Sequence, residues 1–161
     1  MKKEEHRFAY DVYNSVDELS DADAWLVKEA RKATATAYAP YSNFNVAAVA
    51  RLTNGQVVTG TNQENASYPV GICAERVLLG SAASLYPNIP IESMAISYHN
   101  NNGISSHPIS PCGMCRQSLV EYEERLKQPI RLILSGLDGK VIIVEKADSL
   151  LPLSFGSDDL K

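Results

Sequence analysis

The three cysteines of this 161-residue chain are Cys73, Cys112 and Cys115. Cys73 opens the run Cys73-Ala74-Glu75-Arg76, and 39 residues later Pro111-Cys112-Gly113-Met114-Cys115-Arg116-Gln117 supplies a Cys-x-x-Cys pair. Three thiolates predict a zinc site one protein ligand short of closure. Structural zinc is enclosed by four protein ligands, whereas catalytic zinc keeps a tetrahedral position open for water. Zinc lowers the pKa of such a water from about 15.7 to roughly 7. Glu75, two residues beyond a ligand, is placed to relay its proton.

An open zinc beside a non-ligating glutamate is the equipment for hydrolytic removal of an amine from a heterocycle. Competing readings weigh the same residues differently. A Cys-x-x-Cys pair alone is a redox motif or half of a structural zinc knuckle, but either leaves Cys73 and Glu75 without a purpose. A closed structural site needs a fourth ligand from His6, His99 or His107, and all three lie in polar stretches. Cys112 and Cys115, three residues apart, fall on one helical face if Pro111 opens a helix. Thiols near helix N-termini titrate low, which favours the thiolate that zinc requires. Three thiolates on zinc give a formal charge of -1, and Arg76 and Arg116 are candidates to draw charge off the sulfurs.

Composition narrows the class. With 45% apolar and 21% charged residues, the chain reads as one globular domain, residues 19–161, preceded by an N-terminal extension over 1–18. Its start has no apolar run behind the lysines, no stretch reaches the roughly 20 apolar residues of a membrane span, and the odd cysteine count argues against a disulfide framework. A cytoplasmic protein without membrane partners is expected. A net charge of -4 with no basic block lacks the footprint of a nucleic-acid binder.

The positioning elements follow from periodicity and punctuation. Residues 6–13 alternate as a short edge strand would, and Ser20 caps a helix whose apolar positions are Leu26, Ala30, Ala33 and Ala37, ended by Pro40. Trp25 is assigned to the core. Phe44 to Leu52 and Val57 to Thr61 flank Asn54-Gly55 as an antiparallel hairpin. Cys73 to Leu85 forms a second helix, Ser93 to Tyr98 a third main strand, and Pro111 opens a third helix with Leu119, Tyr122 and Leu126 inward. Ile130 to Leu134 and Val141 to Val144 complete the pattern around Asp138-Gly139. The sum is an α/β protein, a three-layer α/β/α sandwich with a mixed sheet of about five strands.

Tyr38-Ala39-Pro40-Tyr41-Ser42, Phe44, Asn62-Gln63-Glu64-Asn65-Ala66, the two cysteine runs and Leu150-Leu151-Pro152 with Phe155 stand together in one order. In these the chain resembles the cytidine deaminase family, in its small homotetrameric class, from about Tyr38 to Phe155. The resemblance implies that Cys73, Cys112 and Cys115 bind one zinc per subunit and that Glu75 shuttles protons. It further implies that Phe44 packs on the pyrimidine, that Asn62 and Glu64 hydrogen-bond the ribose, and that backbone near Ala74 reads the base. Ala66, Tyr68 and Phe155 would reach a neighbouring subunit's pocket in a homotetramer. The implied reaction converts cytidine and 2'-deoxycytidine to uridine and 2'-deoxyuridine, as in pyrimidine salvage. Ala47 and Val77 depart from the family's usual glycine and threonine. Deaminases of nucleic acid, deaminases of other small heterocycles and a catalytically silent zinc protein are the alternatives; acidity and the Asn62/Glu64 pair argue against the first two, Glu75 against the third.

Overall fold

The computed structural model describes residues 1–161. Six strands, β1 (Asp11–Tyr13), β2 (Phe44–Leu52), β3 (Val57–Thr61), β4 (Ile91–Asn100), β5 (Arg131–Ser135) and β6 (Val141–Val144), make one sheet in the order β1-β6-β5-β4-β2-β3. Helices α1 (Asp21–Ala33), α2 (Ala74–Leu85) and α3 (Gly113–Leu126) cover it. The count is therefore six strands, not about five. The additional strand, β1, lies inside the segment expected to be an extension and pairs antiparallel with β6 from Asp11↔Ile143 to Tyr13↔Val141. Its three residues form a strand only because a distant partner offers an edge.

β4 and β5 run parallel and every other pair is antiparallel, so the sheet is mixed as expected. The hairpin between β2 and β3 turns at Asn54-Gly55, where Gly55 takes φ +83° and Asn54 Oδ1 accepts the Gln56 N–H. Alternation along β2 sends Ala48, Ala50 and Leu52 to one face and Val49 to the other. The first face joins Met94, Ile96, Leu132 and Leu134 to Leu78 of α2 and Leu119 of α3. The second packs Val49, Ala95, Ile133 and Ile143 on Leu26, Val27 and Ala30 of α1. Each large apolar side chain so buried contributes about 1.5–3 kcal/mol. The layers are α1, the sheet, then α2 with α3.

α1 opens as read, with Ser20 Oγ accepting the Asp23 N–H, but it ends at Ala33 and a 3-10 turn over Thr34–Thr36 carries the chain towards Pro40. Trp25 is 46% exposed and so lies outside the core, because the buried stripe of α1 runs through Asp23, Leu26, Val27 and Ala30. Pro111 precedes the N-cap of α3, Cys112, and is not the first helical residue.

One close approach fixes α2 on the sheet. Gly60 of β3 faces the Ala74 carbonyl and the Leu78 N–H, and a Cβ there would lie 2.9 Å from Leu78 Cα. Only glycine admits backbone that near. The C-terminal segment is held mainly by polar side chains of α3, among them Arg116 on the Leu150 carbonyl and Gln117 on the Phe155 carbonyl.

Candidate active site

The first turns of α2 and α3 bring the three cysteines together. Cys73 and Cys112 are the N-caps of α2 and α3, the places where a Ser or Asp oxygen would ordinarily bond the first N–H groups. Neither makes such a bond, so both sulfurs are free for another partner. Cys115 is the third residue of α3 and fully buried. Cys73 Sγ lies 3.8 Å from Cys112 Sγ, which lies 3.5 Å from Cys115 Sγ, and all three fall within 4.8 Å of one another. Tetrahedral zinc with Zn–S bonds of about 2.3 Å requires sulfurs about 3.8 Å apart. The residues present fit that ion.

Electrostatics agree with the geometry. The Cys73 thiol is held down to about 6, first by Cys115 acting as donor, and the Cys115 thiol is correspondingly pushed well above the ordinary thiol range. A metal that displaces these protons resolves the competition between the sulfurs, since zinc takes each as thiolate. Glu75 is the second residue of α2 and 5% exposed. Burial raises its carboxyl above the usual range, against its own N–H and Cys115, which pull the other way. A carboxyl so placed is suited to hold a proton and return it.

Arg116 does not reach the sulfurs. Its Nε donates to the Pro111 carbonyl at 2.9 Å and its NH1 to the Leu150 carbonyl at 2.9 Å, which ties the segment before Cys112 to the C-terminal tail. Arg76 acts on Cys73 through charge alone, as the last of the influences that lower that thiol. It lines a groove of about 300 Å³ between α2 and α3 with Leu79, Tyr122 and Arg125.

The expected substrate contacts divide into groups. Phe44, half-buried at the start of β2, stacks on Tyr98 with centroids 4.8 Å apart and planes 17° apart. Asn62 spends its amide on the backbone of β2: Oδ1 accepts the Val46 N–H at 2.7 Å and Nδ2 donates to the Phe44 carbonyl at 2.9 Å. One Nδ2 hydrogen is left for a ligand. Glu64 Oε2 accepts the N–H groups of Tyr41 and Ser42, at 2.8 and 3.3 Å. Hydrogen bonding by Ser42, with these N–H groups, holds its carboxyl below the ordinary range. Glu64 and Tyr68 share a cavity of about 360 Å³ with Tyr41, Ser42, Asn65 and Gly71. Ala66 is exposed beside it, Ala74 is buried as the first residue of α2, and Phe155, 58% exposed, is outside that lining.

Sequence reasoning did not single out Gly60, although an isolated glycine within a strand signals close backbone approach. Nor did it place Tyr98 beside Phe44 and His107 against Tyr98, meetings between distant segments that no local pattern announces.

A family model described as the cytidine and deoxycytidylate deaminase zinc-binding region matches residues 20–127, a span that holds both cysteine runs and Glu75. A cytidine deaminase of Halalkalibacterium halodurans is 35% identical over 135 residues, 84% of this chain and 95% of that protein. One of Mycobacterium tuberculosis is 34% identical over 146 residues, 88% of this chain and 96% of that protein. The crystal structure of cytidine deaminase from Burkholderia pseudomallei superposes with a TM-score of 0.71 at 35% identity, covering 85% of this chain and all of that one. The match over most of the chain to that family model, to these relatives and to this structure shows that the chain belongs to the cytidine deaminase family.

Proposed function

We propose that the protein hydrolyses cytidine and 2'-deoxycytidine to uridine and 2'-deoxyuridine with release of ammonia, in pyrimidine salvage and in the cytoplasm. The observation that carries this reading is the buried carboxyl of Glu75 in the first turn of α2, two residues from Cys73 of the three-sulfur cluster. The names of the relatives support the nucleoside, and no helix is long and apolar enough to cross a membrane.

Cys73, Cys112 and Cys115 would hold zinc, which would supply a polarised water as the nucleophile for C4 of the base. Glu75 accepts a proton from that water and delivers one to N3. It then takes the remaining proton from the new C4 hydroxyl and passes it to the exocyclic nitrogen, so that C4 regains a carbonyl, the C4–N4 bond breaks and ammonia departs. Burial favours this group because a carboxyl kept from water exchanges protons with the substrate and not with solvent. Phe44 offers an aromatic face to the pyrimidine, and Asn62 and Glu64 present a donor hydrogen and the free Oε1 to the ribose hydroxyls. Arg76 moderates the charge on the sulfurs. In this reading four subunits associate, each with one zinc, and Ala66, Tyr68 and Phe155 complete a neighbour's pocket; the exposure of Tyr68 (76%) and Phe155 (58%) supports it.

Ammonia release from cytidine, 2'-deoxycytidine, cytosine and cytidine monophosphate, measured side by side, tests the substrate assignment. The two nucleosides are expected to react and cytosine to react poorly. Turnover of cytosine or the nucleotide in their place would refute it.

A further inference from the structure

We infer that Tyr98, held by His107, is a positioning residue that backs the ring of Phe44 and fixes the plane against which a planar base stacks. The inference rests on the proposed function, since it gives Phe44 the role of base platform.

Phe44 and Tyr98 sit on neighbouring strands: Val46 is the register partner of Tyr98 and Phe44 that of Asn100. Residues two apart on a strand share a face, so both rings project on the side of α2 and α3, where Ala48, Met94 and Ile96 also point. The rings are 4.8 Å apart and 17° from parallel. Tyr98 is 1% exposed and Phe44 half-buried, so Tyr98 occupies the inner face of the stack and the outer face of Phe44 is the one a ligand can use. An unbacked phenylalanine at the mouth of a strand rotates about χ1 and χ2, and a ligand must then order it at an entropic cost.

Tyr98 is itself restrained. Its hydroxyl lies 3.1 Å from His107 Nδ1, and the imidazole meets its ring edge-on at 5.6 Å. The histidine belongs to the segment between β4 and Cys112, and that segment is pinned where Ser105 Oγ accepts the Asn100 N–H at 2.8 Å and the Ser105 carbonyl accepts the Leu137 N–H at 2.7 Å. The chain that delivers Cys112 to the metal centre thus also delivers the tether for the base platform. A platform and a metal centre set by one segment keep a fixed relation, which orienting C4 towards a nucleophile requires.

The test uses zinc-loaded, full-length protein and two readouts: steady-state kinetics on cytidine, and calorimetric binding of the product uridine. Aromatic stacking energies correspond to roughly 3- to 10-fold in a binding constant. Tyr98→Leu is expected to raise KM for cytidine and Kd for uridine by about that factor, with kcat within about 2-fold and zinc content unchanged. In a Phe44→Leu background the same change is expected to add nothing further, because the platform is already gone. His107→Ala, at an exposed position, leaves the core whole if Tyr98→Leu does not fold; there the uridine Kd is expected to rise about 2- to 5-fold. Unchanged KM and Kd in these variants, whatever the change in Tm, would overturn the inference, as would effects of Tyr98→Leu and Phe44→Leu that simply multiply. Wild-type protein that neither consumes cytidine nor binds uridine would overturn the proposed function with it, whereas an active wild type matched by the Tyr98 and His107 variants would overturn the positioning role alone.

Discussion

Replacing Gly60 with alanine is expected to damage a metal centre that Gly60 does not touch. The added methyl would press on the Ala74 carbonyl and the Leu78 N–H and lie 2.9 Å from Leu78 Cα, where ordinary contact begins at 3.4 Å. All three are backbone, so no rotamer change relieves the clash. β3 cannot yield easily, because Gly60 is paired with Ala48 inside a five-residue antiparallel ladder. α2 must therefore retreat by at least about half an ångström, and it carries Cys73 at its N-cap and Glu75 in its first turn. Zinc–ligand distances tolerate about ±0.2 Å. We expect zinc affinity to fall at least about 10-fold, kcat by about 10- to 100-fold, and stability by about 1–3 kcal/mol from overpacking. For a chain of this size the last corresponds to roughly 3–10 °C in Tm. Chelator competition, cytidine turnover and thermal melts read the three quantities. Gly80→Ala is the matched control: Gly80 lies in α2 and a Cβ there has nothing within 4 Å. It is expected to leave zinc affinity unchanged and to stabilise the helix by about 0.5–1 kcal/mol. A Gly60→Ala protein with native zinc affinity and native Tm would refute the claim that this contact sets the helix.

Other consequences are as concrete. Glu64, whose folded carboxyl is held below the usual range by hydrogen bonds, adds stability to the Tyr41–Ser42 turn above the unfolded carboxylate pKa and loses it as pH falls through the folded value. Protection of the Tyr41 and Ser42 amides, taken relative to an unstructured peptide at each pH, should therefore fall on acidification below about pH 4 and should already be low at pH 7 in Glu64→Gln; pH-independent protection would contradict this. Arg116→Met cuts the link between the Pro111 and Leu150 carbonyls, and chelator competition should show zinc held about 10-fold more weakly, with Arg116→Lys intermediate. Glu123, 7% exposed, accepts the N–H groups of Ile130, Ala147 and Asp148 at 2.6, 3.0 and 2.8 Å. Glu123→Ala strands the Ile130 and Asp148 donors, while the Ala147 N–H keeps the Ile130 carbonyl, and should cost about 2–3 kcal/mol by denaturant titration; a loss under about 0.5 kcal/mol would show that water replaces the carboxylate.

The three-sulfur cluster was legible because its chemistry is written in residue type: three cysteines near helix openings admit few readings, and the structure brings their sulfurs within 4.8 Å of one another. The hairpin at Asn54-Gly55 and the α2 and α3 stretches were legible for the same local reason. What escaped depends on partners far along the chain. The edge strand expected over residues 6–13 forms only over its last three, Asp11–Tyr13, where β6, about 130 positions away, offers a partner. Trp25, expected in the core, is turned to the flank by the helical stripe around Leu26 and Ala30. Arg116 follows a ligand directly, so the sequence suggested a partner for sulfur, yet its guanidinium spans two carbonyls from opposite ends of the site. The resemblance gives Asn62 to the ribose, and the structure gives most of its amide to the backbone on either side of Asn45.

The most direct test compares wild type with Glu75→Gln at equal, measured zinc content, following the ultraviolet absorbance of cytidine. Glutamine keeps the size of the side chain and removes its capacity to carry a proton. The wild type is expected to convert cytidine to uridine, and Glu75→Gln to hold zinc and bind uridine but lose at least about 1,000-fold in turnover. A zinc-loaded wild type inert towards cytidine, or a Glu75→Gln protein that retains substantial activity, would contradict the account.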